Sequence, residues 1–349
     1  MPNNKIKVAI ISGGLSSERE ISLKTGKEVF KNLSSEAYDK FMIEMTADGR
    51  WLLQGNSQNL QKKGNHIKQE SKSLTIMPAD RAITKNDLRA FDVVFLALHG
   101  KYGEDGKIQS LLDLLDIPYT GSGVLASALG MNKEKTLNLV SGLGVRVPKF
   151  IIINSLKASK IVKVKEQVRR EIGYPCVVKP NESGSSIGIT IVKKPVNLKA
   201  AIKKAFREDR AVLIEEFIEG REITCGILGN SNNGKLQALP PVEVIVSGTF
   251  FDYNAKYFSK KTKEICPADI TSLQKQKVQY ISKRIHEALG CDGLSRSDFR
   301  FKGNEYYFLE INTLPGLTAQ SLCPKEARVA GMTFAEFLDK QVKLALKKD

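Results

Sequence analysis

The chain has 349 residues, room for roughly two or three domains of ~100–200 residues each. Its 42% hydrophobic and 26% charged residues fit an ordinary globular protein and exclude a disordered or fibrous one. The net charge of +16 raises nucleic-acid binding, but the lysines are spread through stretches such as "QKKGNHIKQESK" and "SLKASKIVKVKEQVRR", with no zinc-finger spacing or basic–aromatic run, so no nucleic-acid partner is expected.

In chain order, "KVAIISGGLSSEREISLKTGKEVFKNL" predicts a strand, a Gly-rich turn and a helix. Val8 to Ile11 is a continuous apolar run, as in a parallel strand covered on both faces. Ser16 or Ser17 can cap the helix, with Glu18 and Glu20 in its first turn. Residues 45–90 are polar and irregular, apart from a short strand near Trp51. "FDVVFLALHG" is a second apolar strand ending at His99-Gly100, and "GEDGKIQSLLDLLDIPYTGSG" predicts a loop, a helix and a third short strand. This βαβ-type segment, 1–121, places ligand groups at strand C-terminal ends. A second segment, 122–220, holds one helix, "ASALGMNKEKTLNLVSGLG", then the strand "YPCVVKP", the loop "NESGSSIG", the strand "ITIVKK" and "AVLIEEFIEG". A third, 221–349, opens with "REITCGILGN". A helix over 272–289 follows, with Val278, Ile281, Ile285 and Leu289 at helical spacing. Strands "GLSRSDFRF" and "YYFLEIN" and a last amphipathic helix complete it.

The five cysteines form no C-x-x-C pair and are odd in number, which argues against a zinc site or disulfide framework, and three histidines argue against a His-based metal centre. No apolar run approaches the ~20 residues of a membrane span. The N-terminal apolar core is too short for the ~7–15 residues of a signal peptide. A cytoplasmic protein without membrane contact is expected.

Three stretches carry chemistry. In "VVKPNESGSSIG", Lys179 ends a buried strand and needs a partner. The Gly/Ser loop after it can cradle phosphate oxygens on its N–H groups, although an exposed hairpin is the plainer alternative. "LIEEFIEGRE" gathers Glu215, Glu216, Glu219 and Glu222 at a strand end; a ribose and adenine would satisfy such acids, as would surface lysines. In "YYFLEINTLPG", Glu310 and Asn312 share a face, as do Arg296 and Asp298 on the preceding strand. An odd hairpin loop starting at Gly303 sets Asp298 opposite Glu310 and Arg296 opposite Asn312; a two-residue turn without a bulge does not. Two opposed carboxylates and an amide oxygen suit Mg²⁺. The alternative is an Arg–Asp pair on an edge hairpin. "GSGVLA" matches a loose dinucleotide pattern but reads as a turn and helix start, and no Walker-type loop occurs.

With "GGLSSEREISL", "ALHGKYGEDGKIQSLLDLLDIPYTGSG", "EEFIEGRE", "FDYNAKY", "SRSDF" and "LEINTLPGLTAQSL" in order, nearly the whole chain resembles the D-alanine–D-alanine ligases of the ATP-grasp superfamily. The resemblance implies a mixed α/β, three-domain ATP-grasp fold whose N-terminal domain is an open parallel sheet. It implies ATP, two Mg²⁺ (Mn²⁺ able to substitute), D-alanine as substrate and a homodimer. Glu18, Ser185 and Tyr257 would hold the first D-alanine and latch the flap, with His99 nearby. Lys133 and Lys179 would bind phosphates, with Ser186 in the flap and Lys256 in a second loop. Glu215, Glu216, Phe217, Ile218 and Glu222 would contact adenine and ribose. Asp298, Glu310 and Asn312 would hold the metals. Arg296 and the Gly316 backbone would stabilise an oxyanion, and Ser321 with Leu322 would seat the second substrate's carboxylate. "AKY" around Tyr257 implies an amine as second substrate. D-serine or D-lactate ligation is the nearest alternative, and a nucleic-acid-binding protein on an inactive scaffold the remote one.

Overall fold

The computed structural model describes residues 5–54, 80–82, 85–154, 161–184, 187–233, 235–245 and 263–347. Three sheets organise them. The first has the order Asp80–Ala82, Trp51–Gln54, Tyr38–Met45, Ile6–Gly13, Val93–Leu96. Ile6–Gly13 pairs in parallel with both Tyr38–Met45 and Val93–Leu96, and Val8 to Ile11 are wholly buried. The two strands on the other side run antiparallel, so the expected parallel sheet is a mixed one. The third strand expected near Tyr119 is only an isolated parallel bridge to Val94.

The second sheet is antiparallel, ordered Phe150–Ile153, Val212–Glu216, Cys176–Pro180, Thr190–Val192. The third, also antiparallel, runs Lys263–Ile265, Val242–Ile245, Arg221–Leu228, Leu294–Lys302, Glu305–Asn312, with Gln237–Ala238 paired to Arg221–Leu228. Helix Ser272–Ala288 backs this sheet, its start fixed by a capping box between Thr271 and Gln274.

Local chemistry adjusts two helix starts. The single helix expected from Ala126 onward is two, Val124–Met131 and Lys133–Gly142. Asn132 between them has extended backbone and caps the second by accepting from the Lys135 N–H. Helix Arg19–Asn32 is entered through Glu18 rather than capped by Ser16 or Ser17. The Ser16 hydroxyl donates instead to the His99 carbonyl at 2.6 Å.

The cores run across the chain's three segments. Ala126, Leu137 and Val140 pack with Ile223, Phe299, Phe308 and Ile311 of the third sheet. Phe337, Leu338 and Val342 of the last helix pack with Val8, Ile10 and Phe95 of the first. The Tyr38 hydroxyl donates to Asp339 at 2.6 Å on that seam. Leu213 of the second sheet belongs to the first of these clusters, so packing links all three sheets. Among the described residues no helix is long and apolar enough to cross a membrane.

Candidate active site

The hairpin of Leu294–Lys302 and Glu305–Asn312 answers the question posed by Glu310. Its loop is the two-residue turn Gly303-Asn304, with φ of 56° and 67°. Both values are positive, as the tight turn that matches strand twist demands. The odd loop that would set Asp298 opposite Glu310 is therefore absent. Its effect is achieved further along: Phe299 pairs with Phe308 but Asp298 pairs with Glu310, so Leu309 is an extra residue in a bulge. In an unbroken strand Glu310 would share the buried face of Tyr306 and Phe308. The bulge turns it over. Ile311 enters the core, while Glu310 and Asn312 emerge opposite Asp298 and Arg296.

On that face Arg296 donates through Nε and Nη2 to the two oxygens of Asp298, each at 2.7 Å, and the Thr224 hydroxyl adds a third donor at 2.6 Å. Burial works against the guanidinium charge, but the Asp298 carboxylate overrides it and holds Arg296 firmly protonated. One step along, Glu222 lies 3.0 Å from Arg300. Burial pushes its carboxyl up to about 7; Arg300 opposes the rise, while Asp298 and Glu310 reinforce it.

The facing wall is the second sheet. Lys179 and Glu215, both buried, lie 2.8 Å apart, so the lysine and one acid of "LIEEF" are each other's partner. Burial raises the Glu215 carboxyl even so, and Glu310 adds to the rise. Between the sheets is a chamber of about 90 Å³ lined by Lys179, Glu215 to Ile218, Glu222, Asp298 and Glu310. Lys133, first residue of its helix, donates to the Ser183 carbonyl at 2.6 Å and lies 3.6 Å from Glu310.

A wider chamber, about 410 Å³, opens beside it and shares Arg296, Glu310 and Leu322. Glu18 projects into it between two glycines: a Cβ on Gly100 or Gly184 would come within 2.5 and 2.7 Å of its Oε2. Neither loop could approach that carboxylate with a side chain there. His99 is buried, its Nε2 2.9 Å from the Thr25 hydroxyl and its Nδ1 3.7 Å from Glu104. Gly316, Ser321 and Leu322 line the far end. Ser185, Ser186, Lys256 and Tyr257 lie outside the described residues.

The site's oxygens fit a hard cation. Asp298 and Glu310 occupy one register position, and the Asn312 Oδ1 sits two residues on, oriented by the Leu314 N–H at 2.9 Å. The set is two carboxylates and an amide, since no cluster of three His, Cys, Asp or Glu ligands exists among the described residues. Such a set leaves places for phosphate oxygens and water, as Mg²⁺ prefers.

Sequence patterns did not single out Thr224, Arg300, Glu104 or Glu326. Thr224 and Arg300 could have been found from strand alternation with Glu222 and Asp298. Glu326 has no such signal. It is wholly buried, its Oε1 accepts from the Gly226 N–H at 3.0 Å and its Oε2 has no hydrogen-bond partner among the described residues. Burial pushes it up to about 8, against the Gly226 N–H and Arg296.

Two antiparallel sheets clasping a cleft, with Lys179 on one wall and the carboxylates of Asp298 and Glu310 on the other, define an ATP-grasp fold and an ATP-dependent ligase. The family descriptions "D-ala D-ala ligase N-terminus" and "D-ala D-ala ligase C-terminus" match residues 7–122 and 139–343. The D-alanine–D-alanine ligase of Syntrophobacter fumaroxidans is 39% identical, over 99% of this chain and 100% of its own. The crystal structure of VanG D-Ala:D-Ser ligase from Enterococcus faecalis superposes with a TM-score of 0.80 at 33% identity, covering 98% of this chain and 100% of that one. The Bacillus anthracis D-alanine–D-alanine ligase complexed with ATP gives 0.73 at 30%, covering 98% of each. The chain belongs to the D-alanine–D-alanine ligase family.

Proposed function

We propose that the chain joins two D-alanine molecules into D-alanyl-D-alanine for peptidoglycan precursors, converting ATP to ADP and phosphate through an acyl phosphate. The observation that carries this reading is the register of Asp298 with Glu310 and Arg296 with Asn312, facing Lys179 across the narrow chamber.

A carboxylate is a poor electrophile. A carboxylate oxygen of the first D-alanine therefore attacks the γ-phosphorus, and ADP leaves. Phosphoryl transfer depends on positioning and on cations against the spreading charge. Lys133 and Lys179 supply two. Asp298, Glu310 and Asn312 would hold the divalent ions that supply the rest, two Mg²⁺ or Mn²⁺. Glu215, Glu222 and the backbone of Glu216 to Ile218 bind the nucleoside end. Glu18 anchors the first D-alanine's ammonium beside the Gly184 turn, with Ser185 and Tyr257 completing the latch and His99 lining the same pocket. The amine of the second D-alanine, seated by Ser321 and Leu322, then attacks the acyl carbon, and phosphate leaves. Arg296 and the Gly316 N–H face the oxyanion of that step. The Gly/Ser loop, carrying Ser186, and the loop with Lys256 keep water from the acyl phosphate.

The same reading takes 1–121, 122–220 and 221–349 as the three domains, and extends to a homodimer acting in the cytoplasm. Phosphate release measured with D-alanine alone, and with D-serine or D-lactate as second substrate, tests it. Turnover and dipeptide with D-alanine alone are expected. Release only with D-serine or D-lactate, or none with any pair, would overturn the assignment.

A further inference from the structure

We propose that Thr318 is a positioning residue for the second substrate: it occupies the acceptor positions of the Ser321 hydroxyl and so makes Ser321 a donor toward that substrate's carboxylate. The inference rests on the ligase reading above and deepens it.

Ser321 differs from three polar residues that cap helices elsewhere in the chain. Asn132, Thr271 and Thr333 each stand before a helix and accept from the N–H of its third residue. Ser321 precedes Leu322–Val329 with φ −69° and ψ 156°, close to the −66° and 160° of Thr333, yet makes no such bond. The third residue of its helix is Pro324, which has no N–H to offer.

The hydroxyl turns back to Thr318 instead. The Thr318 N–H donates to Ser321 Oγ at 3.2 Å, and Thr318 Oγ1 lies 2.9 Å from the same atom. The Ser321 N–H closes the turn on the Thr318 carbonyl at 2.9 Å. Gly316 leaves room: a Cβ there would sit 3.1 Å from Ser321 Oγ.

A serine hydroxyl has one proton and two lone pairs. The Thr318 N–H takes one lone pair. When the Thr318 hydroxyl donates to the other, the Ser321 proton must point elsewhere, into the chamber that Gly316, Thr318 and Ser321 all line. A carboxylate arriving there beside the helix N-terminus accepts that proton in a charge-assisted bond. Without the threonine hydroxyl the serine proton has a second resting orientation, and part of the binding is lost.

The test is steady-state kinetics on Thr318→Val, Thr318→Ser, Ser321→Ala and the double variant Thr318→Val/Ser321→Ala. First- and second-site D-alanine dependences are resolved separately, and thermal midpoints are recorded. Thr318→Val should raise the second-site KM about fivefold, a part of what one hydrogen bond to a charged partner contributes. First-site and ATP KM values should not move. Thr318→Ser should recover the wild-type second-site KM within about twofold, and Thr318→Val should add nothing to Ser321→Ala. Thr318→Ala replaces the valine variant if that one does not fold. An unchanged second-site KM, an equal rise at both sites, or a full effect in the Ser321→Ala background would overturn the proposal. A wild-type chain that releases no phosphate with D-alanine overturns the ligase reading, and this inference falls with it.

Discussion

The two chambers of the cleft are built differently. In the narrow one, assigned to ATP, charge is matched inside the chain: Lys179 with Glu215, Arg300 with Glu222, Arg296 with Asp298. All six groups sit on strands of two sheets, so register alone sets their positions. In the wide one, assigned to the amino acids, Glu18, His99 and Ser321 stand on loops and helix starts. The first two are held by neighbours distant in sequence, as His99 is by Thr25 and Glu18 is by the room at Gly100 and Gly184. Strands give the first chamber a rigid frame for a large, highly charged ligand. Glycines and turns let the second close around two small ones. Glu310 and Arg296 line both, which is where the two halves of the proposed reaction would meet.

The sharpest way to break the comparison is at the shared group. Glu310→Gln should lower turnover by ~10²–10³-fold or more, the scale of losing a preorganised electrostatic contact, while circular dichroism and the thermal midpoint stay near wild type. Near-normal turnover in that variant would remove Glu310 from the metal site. Next comes the buried pair of the narrow chamber. Lys179→Met leaves Glu215 without its cation and should destabilise the chain by about 3–5 kcal/mol in denaturant titration. Adding Glu215→Gln should return most of that loss, because the uncompensated charge goes with it. Equal stability of Lys179→Met and wild type would mean the pair is hydrated rather than buried.

A smaller effect tests what lies under Arg296. Glu326 keeps its proton to about pH 8 in the fold but releases it near ~4.3 when unfolded. Between those values the unfolded chain binds fewer protons, so this group's share of stability is complete below the lower value and is lost as pH rises toward 8. Glu326→Gln should therefore lose less stability than wild type between pH 5 and pH 8, by on the order of a few kcal/mol. Parallel pH–stability curves for the two chains would place Glu326 in contact with water. The smallest change expected is the second-site KM shift of Thr318→Val.

Much of the fold could be read in advance because it rests on local pattern. The apolar run Val8 to Ile11, the helical spacing of Val278, Ile281 and Ile285, and the alternation in "SRSDFRF" each state their own structure. The pairing of Lys179 was half legible: a lysine ending a buried strand calls for an acid, but nothing near it in sequence names Glu215. The split at Asn132 and the antiparallel edge of the first sheet were not legible, since each depends on which neighbour satisfies a backbone group.

By itself the sequence determined the kinds of group present and their spacing along each strand: Arg296 two before Asp298, Glu310 two before Asn312, and a Gly/Ser loop after Lys179. Spacing of that sort is a property of one strand, fixed by the pleat. Only the tertiary structure decided that these strands meet with Asp298 beside Glu310. The deciding feature is one extra residue, Leu309, which the turn at Gly303-Asn304 makes necessary and which no pattern of polar and apolar residues marks. Which face a strand shows beyond a bulge depends on how the partner strand takes up its hydrogen bonds, and that is settled between segments, not within one.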